Sequence, residues 1–158
     1  MPCRTCLIAS IQIADKSKLP VILYNFPGIA QGIDLDEALI IRLAQHPNIV
    51  GIKLSCGNVA KGARLSSRLY PSEFAVFGGL ADTLLHGLAA SRSSGVVSGL
   101  GNISPESLLK VYDLFEKGDL KGAKEAQAAL SAAGSIELLG GVPGMRVSLY
   151  VHSYPNLA

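Results

Sequence analysis

Four short apolar runs limit what this chain can become: Val21-Ile22-Leu23-Tyr24, Ile49-Val50-Gly51-Ile52-Lys53-Leu54, Phe74-Ala75-Val76-Phe77 and Gly95-Val96-Val97-Ser98-Gly99. They start about 20–30 residues apart. The first three are rich in β-branched or aromatic residues, all are stopped by Gly, Pro, Asn or Ser, and each is too short to make a helix of its own, so each reads as a strand. Helical patterns fill the gaps. A β-α unit repeated four times at this spacing is the rhythm of a parallel sheet with right-handed helical crossovers, and the expected fold class is α/β.

The helices are legible from their punctuation. Residues 7–17 read as the tail of a helix that ends in a polar run before Pro20. Asp34 is placed to cap a helix reaching about His46, with Leu35, Leu39 and Leu43 on its apolar face, and Pro47-Asn48 closes it. Further helices are expected over 59–70, from Asp82 to about Ser91, and from Ser104-Pro105-Glu106 to near Gly118. Asp119 begins a last one that runs through an alanine-rich stretch to about Gly134. Beyond Gly140-Gly141 the pattern weakens, and 145–154 reads as a helix end or an extended tail.

A length of 158 residues suits one domain and falls short of a complete α/β barrel, which takes about 250. Apolar residues make up 49% and charged ones 16%, a balance that fits a sheet covered by helices or a chain that buries surface against something else. The net charge of +2 is spread over scattered Lys and Arg, which argues against nucleic acid as a partner, and no apolar run is long enough to be a membrane span. Three cysteines are too few for a disulfide framework, and a reducing cytoplasm is the expected compartment. Cys3-Arg4-Thr5-Cys6 has the spacing of half a zinc site. Cys56, His46, His86 and His152 do not supply a second pair at motif spacing, so no metal site is expected and the two cysteines read as an incidental terminal pair. The segment from Cys6 to Ala14 is too short for a signal peptide.

In a parallel sheet of this kind chemistry belongs at the C-terminal ends of the strands. Lys53 ends the second strand and Tyr24 the first, one βα unit apart, so the crossover rule sets amine and phenol side by side. An amine partly stripped of water there favours its neutral form, a nucleophile toward carbonyl carbon. The alternative is a lysine that extends its ammonium into solvent where the strand ends. Gly78 and Gly79 end the third strand and Gly99 the fourth, leaving room for a substrate.

These motifs resemble a known family. Tyr24-Asn25-Phe26-Pro27, the Gly-Ile-Lys centred on Lys53, and Gly95-Val96-Val97-Ser98-Gly99-Leu100-Gly101-Asn102 are similar in order and spacing to the dihydrodipicolinate synthase / N-acetylneuraminate lyase superfamily. The resemblance implies a partial (β/α)8 TIM barrel, strands five to eight plus C-terminal helices, over 12–142, with 1–11 of uncertain origin and 143–158 a tail. It also implies that Lys53 is the Schiff-base lysine and Tyr24 the proton-shuttling tyrosine. No metal or organic cofactor is then required, and pyruvate or a related small 2-oxo acid is the partner. The implied activity is a lyase, a pyruvate-dependent aldolase cleaving a 4-hydroxy-2-oxo acid such as 4-hydroxy-2-oxoglutarate or a 2-oxo-3-deoxy-hexonate.

Departures from the family pattern refine this. Ile29, Ala30 and Gln31 stand where synthases acting on aspartate semialdehyde usually carry an arginine, which favours an aldolase over a dihydrodipicolinate synthase-like condensation. Ser55, two residues after Lys53, is expected on the lysine's side of the strand as a substrate-binding hydroxyl, with a turn or helix-capping role as the alternative. The four βα units that would carry the family's carboxylate-binding loop, and its subunit-crossing tyrosine, have no counterpart here. The rival expectation is therefore a non-catalytic half-barrel or binding subunit that self-associates through its uncovered sheet.

Overall fold

The structure, a computed structural model, describes residues 4–153. A first helix, α1 (Arg4–Lys16), leads into β1 (Val21–Asn25), α2 (Glu37–Leu43), β2 (Ile49–Leu54), α3 (Val59–Arg68), β3 (Ala75–Gly78), α4 (Leu84–Ala90), β4 (Gly95–Val96), α5 (Pro105–Glu116) and α6 (Leu120–Ser153). The strands form one sheet in the order β1-β2-β3-β4, and every pairing is parallel. The βα rhythm in the sequence is thus realised as four laterally adjacent units.

Alternation along the strands divides the sheet into two unlike faces. Leu23, Ile52 and Val76 are nearly inaccessible and turn toward the helices, where Leu39, Ile40, Leu43 and Leu65 meet them. A second cluster, built on Leu84, Leu100, Val111 and Leu130, locks α4, α5 and α6 together beyond β4. On the other face Ile22, Tyr24 and Val97 are each about half exposed. No helix of the described chain covers them.

Several boundaries differ from the sequence expectation for identifiable reasons. The cap of α2 is Asp36, whose carboxylate accepts from the Leu39 amide at 2.8 Å, because Asp34 is engaged elsewhere. Asp82 lies in a 3-10 turn (Ala81–Thr83) ahead of α4 and packs one carboxylate oxygen against Gly134 of α6 instead of capping. The fourth strand keeps two residues of the expected five, since a 3-10 turn over Gly99–Asn102 takes the chain out of the sheet. Ser104 shares a hydrogen bond with the Ser107 hydroxyl at 2.7 Å rather than with a backbone amide. The largest difference is α6. It continues past Gly134 to Ser153, and the weakened pattern at Gly140-Gly141 marks a break inside it: Gly141 has φ +52°, open to glycine without strain, and Pro143 follows as a residue suited to the first turn of the next helical segment. Cys3 of the terminal cysteine pair and the last five residues of the tail lie outside the described residues.

The segment after β1 is held by a polar clamp. Asn25, buried at the end of β1, donates to Asp34 at 2.7 Å and accepts from the Leu35 amide at 3.0 Å. Lys61 of α3, also buried, donates to the same Asp34 carboxylate and to the Leu35 carbonyl at 2.8 Å. A buried ammonium needs such partners, and here it ties α3 to the loop that follows Tyr24. The Lys61 hydrogen bond, reinforced by that from Asn25, holds the Asp34 carboxyl below its ordinary value.

Two measurements check this description. Ile52→Ala, in the most enclosed strand, should lower unfolding stability by about 2–5 kcal/mol in urea titration, the range for a buried Ile cut to Ala. Because the folded pKa of Asp34 is depressed, its stabilising contribution is full above the unfolded value of about 3.9 and is lost as pH falls through the lower folded value. The stability gap between the unmodified chain and Asp34→Asn should therefore hold from pH 7 to about 5 and shrink below about 4. A gap unchanged at strongly acid pH would show that the carboxylate charge contributes nothing there.

Candidate functional site

The parallel register places Tyr24 directly opposite Lys53, and Lys53 opposite Phe77. All three are at the C-terminal ends of their strands and, by alternation, on the face without helices. The Lys53 ammonium nitrogen lies 4.5 Å from the centroid of the Tyr24 ring, and the rings of Tyr24 and Phe26 are 5.8 Å apart. Amine and phenol therefore stand side by side on one face of the sheet, as their spacing in sequence leads one to expect. Lys53 is half-buried, and among the described residues no carboxylate lies within ion-pair distance of it. A cation over an aromatic face is held by about 0.5–1 kcal/mol at an exposed position, enough to orient the side chain without fixing it.

Ser55 lies one residue beyond the end of β2 and is buried against Gly79: a Cβ on Gly79 would come within 2.2 Å of the Ser55 hydroxyl oxygen. The period-two argument does not carry past the strand end. Gly79 is needed here as glycine because the ends of β2 and β3 approach so closely, with the Gly79 amide donating to the Leu54 carbonyl at 3.0 Å. Gly78 pairs with Leu54 on one side and Val96 on the other, which sends it to the helix face, away from Lys53. Its missing side chain makes room for Thr83, whose hydroxyl would be 2.4 Å from an added Cβ. Gly99 opens the 3-10 turn after β4, two residues beyond the half-exposed Val97, so it stays at the C-terminal rim.

Gly78 contributes instead to a cavity of about 270 Å³ between the sheet and helices α3 and α4, which Leu54, Val76, Thr83 and His86 also line. This space is on the opposite side of the sheet from the amine and shares no wall with Tyr24. Two groups that bear on the site carried no functional assignment in the sequence reading. Phe77 is visible only once the strand ends are aligned in register. Asn25 belongs to the Tyr-Asn-Phe-Pro motif, yet its role, holding the loop through Asp34 and Leu35, depends on contacts nine and ten residues away.

In the loop itself, Pro27 accepts from the Gly32 amide at 2.9 Å, and Gln31 and Gly32 both have positive φ, +53° and +82°. A β-branched residue at position 31 would be strained in that conformation.

Residues 10–140 match the dihydrodipicolinate synthetase family. The chain is 37% identical over 159 aligned residues to the L-threo-3-deoxy-hexylosonate aldolase of Aspergillus niger, covering 87% of this chain and 47% of that protein. To a protein of Emericella nidulans named "Probable 4-hydroxy-2-oxoglutarate aldolase, mitochondrial" it is 37% identical over 137 residues, covering 87% and 44%. Among solved structures, the dihydrodipicolinate synthase of Acinetobacter baumannii complexed with pyruvate superposes with a TM-score of 0.81 at 29% identity, over 96% of this chain and 50% of that one. A prophage protein of the dihydrodipicolinic acid synthase family from E. coli K12, also with pyruvate, gives 0.81 at 27%, over 93% and 50%. The chain thus spans about half the length of the relatives it matches. It belongs to the dihydrodipicolinate synthetase family.

Proposed function

We propose that this chain carries the covalent half of a class I, Schiff-base-forming aldolase, corresponding to strands five to eight of an eight-stranded barrel, and that the assembled barrel cleaves a 4-hydroxy-2-oxo acid to pyruvate and an aldehyde. The observation that carries this reading is the pairing of Lys53 with Tyr24 across β1 and β2, nitrogen 4.5 Å from the ring centroid. The neutral Lys53 amine attacks the C2 ketone and water leaves, giving an iminium. The Tyr24 phenolate takes the proton of the C4 hydroxyl, the C3–C4 bond breaks, and its electrons flow into the iminium as the aldehyde departs. Protonation of the resulting enamine at C3 and hydrolysis of the iminium release pyruvate and restore the amine. The lysine is the electron sink, so the reaction calls for no metal or organic cofactor.

Relatives named for 4-hydroxy-2-oxoglutarate and 3-deoxy-hexylosonate aldolase activities support the aldolase branch over dihydrodipicolinate synthase-like condensation. So do Ile29, Ala30 and Gln31 in the loop after Tyr24, which offer no arginine to a second carboxylate. Gly99 and Ser55 are proposed to border the substrate at the C-terminal rim, Ser55 through the backbone it fixes beside Gly79. The partner is a small 2-oxo acid, not nucleic acid, and no described helix is long and apolar enough to cross a membrane. Matched fungal proteins carry "mitochondrial" in their names, so that compartment stands beside the cytoplasm.

The second reading is a half-barrel without catalysis of its own, favoured by the open face on which Ile22, Tyr24 and Val97 are half exposed. Borohydride trapping separates the two. Incubated with pyruvate and borohydride together with an N-terminal half from a related aldolase, the chain should gain a reduced pyruvate adduct on Lys53. Lys53→Ala should abolish the adduct, whereas Tyr24→Phe should keep it and slow cleavage by about 10²–10⁴-fold, the usual contribution of a positioned acid–base group. An unchanged adduct mass in Lys53→Ala would remove the lysine from the mechanism. Alone, the chain should turn over at least about 10²-fold more slowly than the reconstituted barrel, since a substrate misplaced by about 1 Å loses that much.

A further inference from the structure

We propose that the cavity between the sheet and helices α3 and α4 is a binding site for a small, uncharged ring compound with one hydrogen-bonding group, a ligand distinct from any 2-oxo acid handled at Lys53. Every wall of the site belongs to residues 54–93 and stands on the helix side of the sheet, so the site is independent of the Lys53 chemistry and of whatever covers the open face.

The cavity has a buried floor and an open mouth. Leu54 and Val76 of the sheet, 5% and 3% exposed, close the bottom, whereas Val59 of α3 and His86 and Ala90 of α4 form an exposed rim. The space exists because the facing helix surfaces carry small residues, Gly62 and Ala63 on α3 against Gly87 and Ala90 on α4. Collapse is resisted at two points. Gly87 already lies so close to the loop after α4 that an added Cβ would come within 2.9 Å of the Ser93 Cβ. Arg92, in the same loop, donates to the Ser66 carbonyl of α3 and rests 4.7 Å from the centroid of the Tyr70 ring, which ties the ends of the two helices at a set distance. Protein interiors leave few voids larger than a water molecule, so about 270 Å³ held open by such a frame is an exception that an occupant accounts for.

The lining selects the class of ligand. No Lys, Arg, Asp or Glu borders the cavity, so a carboxylate or ammonium would be stripped of water there without a counter-charge. The hydroxyls at its edge are already engaged: Thr83 donates to the Leu80 carbonyl at 2.8 Å, Ser91 to that of Gly87 at 2.9 Å and Ser93 to that of Val76 at 3.0 Å. Asn58 likewise commits its side-chain carbonyl oxygen to the Lys61 amide at 2.9 Å. A water molecule would find few of the roughly three partners that hold one in place, and an apolar guest loses little by displacing it. Size sets the upper limit. A cavity of about 150 Å³ with apolar walls takes up benzene, so this one has room for a six-membered ring with a substituent or for a fused pair of rings. At the rim the His86 imidazole makes no hydrogen bond or ion pair among the described residues. It is free to bond a hydroxyl or ring N–H at the mouth while the ring lies on Leu54 and Val76.

The test uses the full chain with isotope-labelled leucine and valine methyl groups, titrated in turn with benzene, phenol and benzoate. Benzene and phenol should each shift the Leu54 and Val76 methyl signals saturably, phenol binding about two- to tenfold more tightly, the net contribution of one neutral hydrogen bond. Benzoate, the same ring carrying a charge, should bind at least about tenfold more weakly than phenol. His86→Leu should bring phenol down to the affinity of benzene and leave benzene unchanged. Ala63→Leu and Ala90→Leu, which fill the space from either helix, should abolish the shifts; should one of them not fold, as judged by circular dichroism, the other decides. The absence of a saturable shift with benzene and phenol would overturn the site, and so would shifts that survive in the folded filled variants or a phenol affinity no higher than that of benzene.

Discussion

The arrangement of the uncovered face depends on the lateral pairing of β1 with β2, in which Tyr24 meets Lys53 across the ladder. Parallel pairing fixes the height of each residue above its neighbour and alternation fixes the face, so a single register determines that phenol and amine emerge together. A slip of one residue would bury the amine in the helix layer and put Ile52 in its place. What prevents the slip is the apolar load on the other face. Leu23 and Ile52 are matched in the same register and are both buried under α2 and α3. The packing side of the sheet thus positions the open side.

That division explains how this stretch of chain orders the Tyr24–Lys53 pair. In a βα architecture each strand packs against the helices beside it, so the contacts that order β1, β2 and β3 come from α1, α2 and α3 of the same stretch of chain. The interior of the ring, by contrast, is shared among all its strands and cannot be completed locally. The placement of Tyr24 and Lys53 is therefore set by the local layer. The clamp of Asn25, Asp34 and Lys61 extends the local layer to the loop after Tyr24 and ties that loop to α3.

The sequence made the strands, their order and the meeting of Tyr24 with Lys53 legible, because these follow from apolar runs, spacing and the handedness of crossovers. It was less informative wherever a side chain had two uses. Asp34 and Asp36 are equivalent as caps on paper; Lys61, more than twenty residues away, takes Asp34 and leaves the cap to Asp36. Glycine was ambiguous in a similar way. Gly78 and Gly79 both read as space for a substrate, yet Gly78 accommodates Thr83 and Gly79 accommodates Ser55, distinctions that depend on which face each presents. Gly140-Gly141 looked like an end because a helix was expected to stop there, and only the packing of α6 against α4 and α5 shows it as a bend.

Charge placement follows the same division between the two faces of the sheet. The described ion pairs, His46 with Asp15, Lys61 with Asp34 and Arg64 with Glu37, join helices and loops outside the uncovered face. Arg64 and Lys61 are satisfied by carboxylates of the same layer, which lowers the pKa of both partners, Glu37 and Asp34. Lys53 has no such carboxylate among the described residues and rests on the Tyr24 ring instead. The cations of the helix layer are thus held by charge, whereas the one on the open face is held by a ring, a weaker contact at an exposed position.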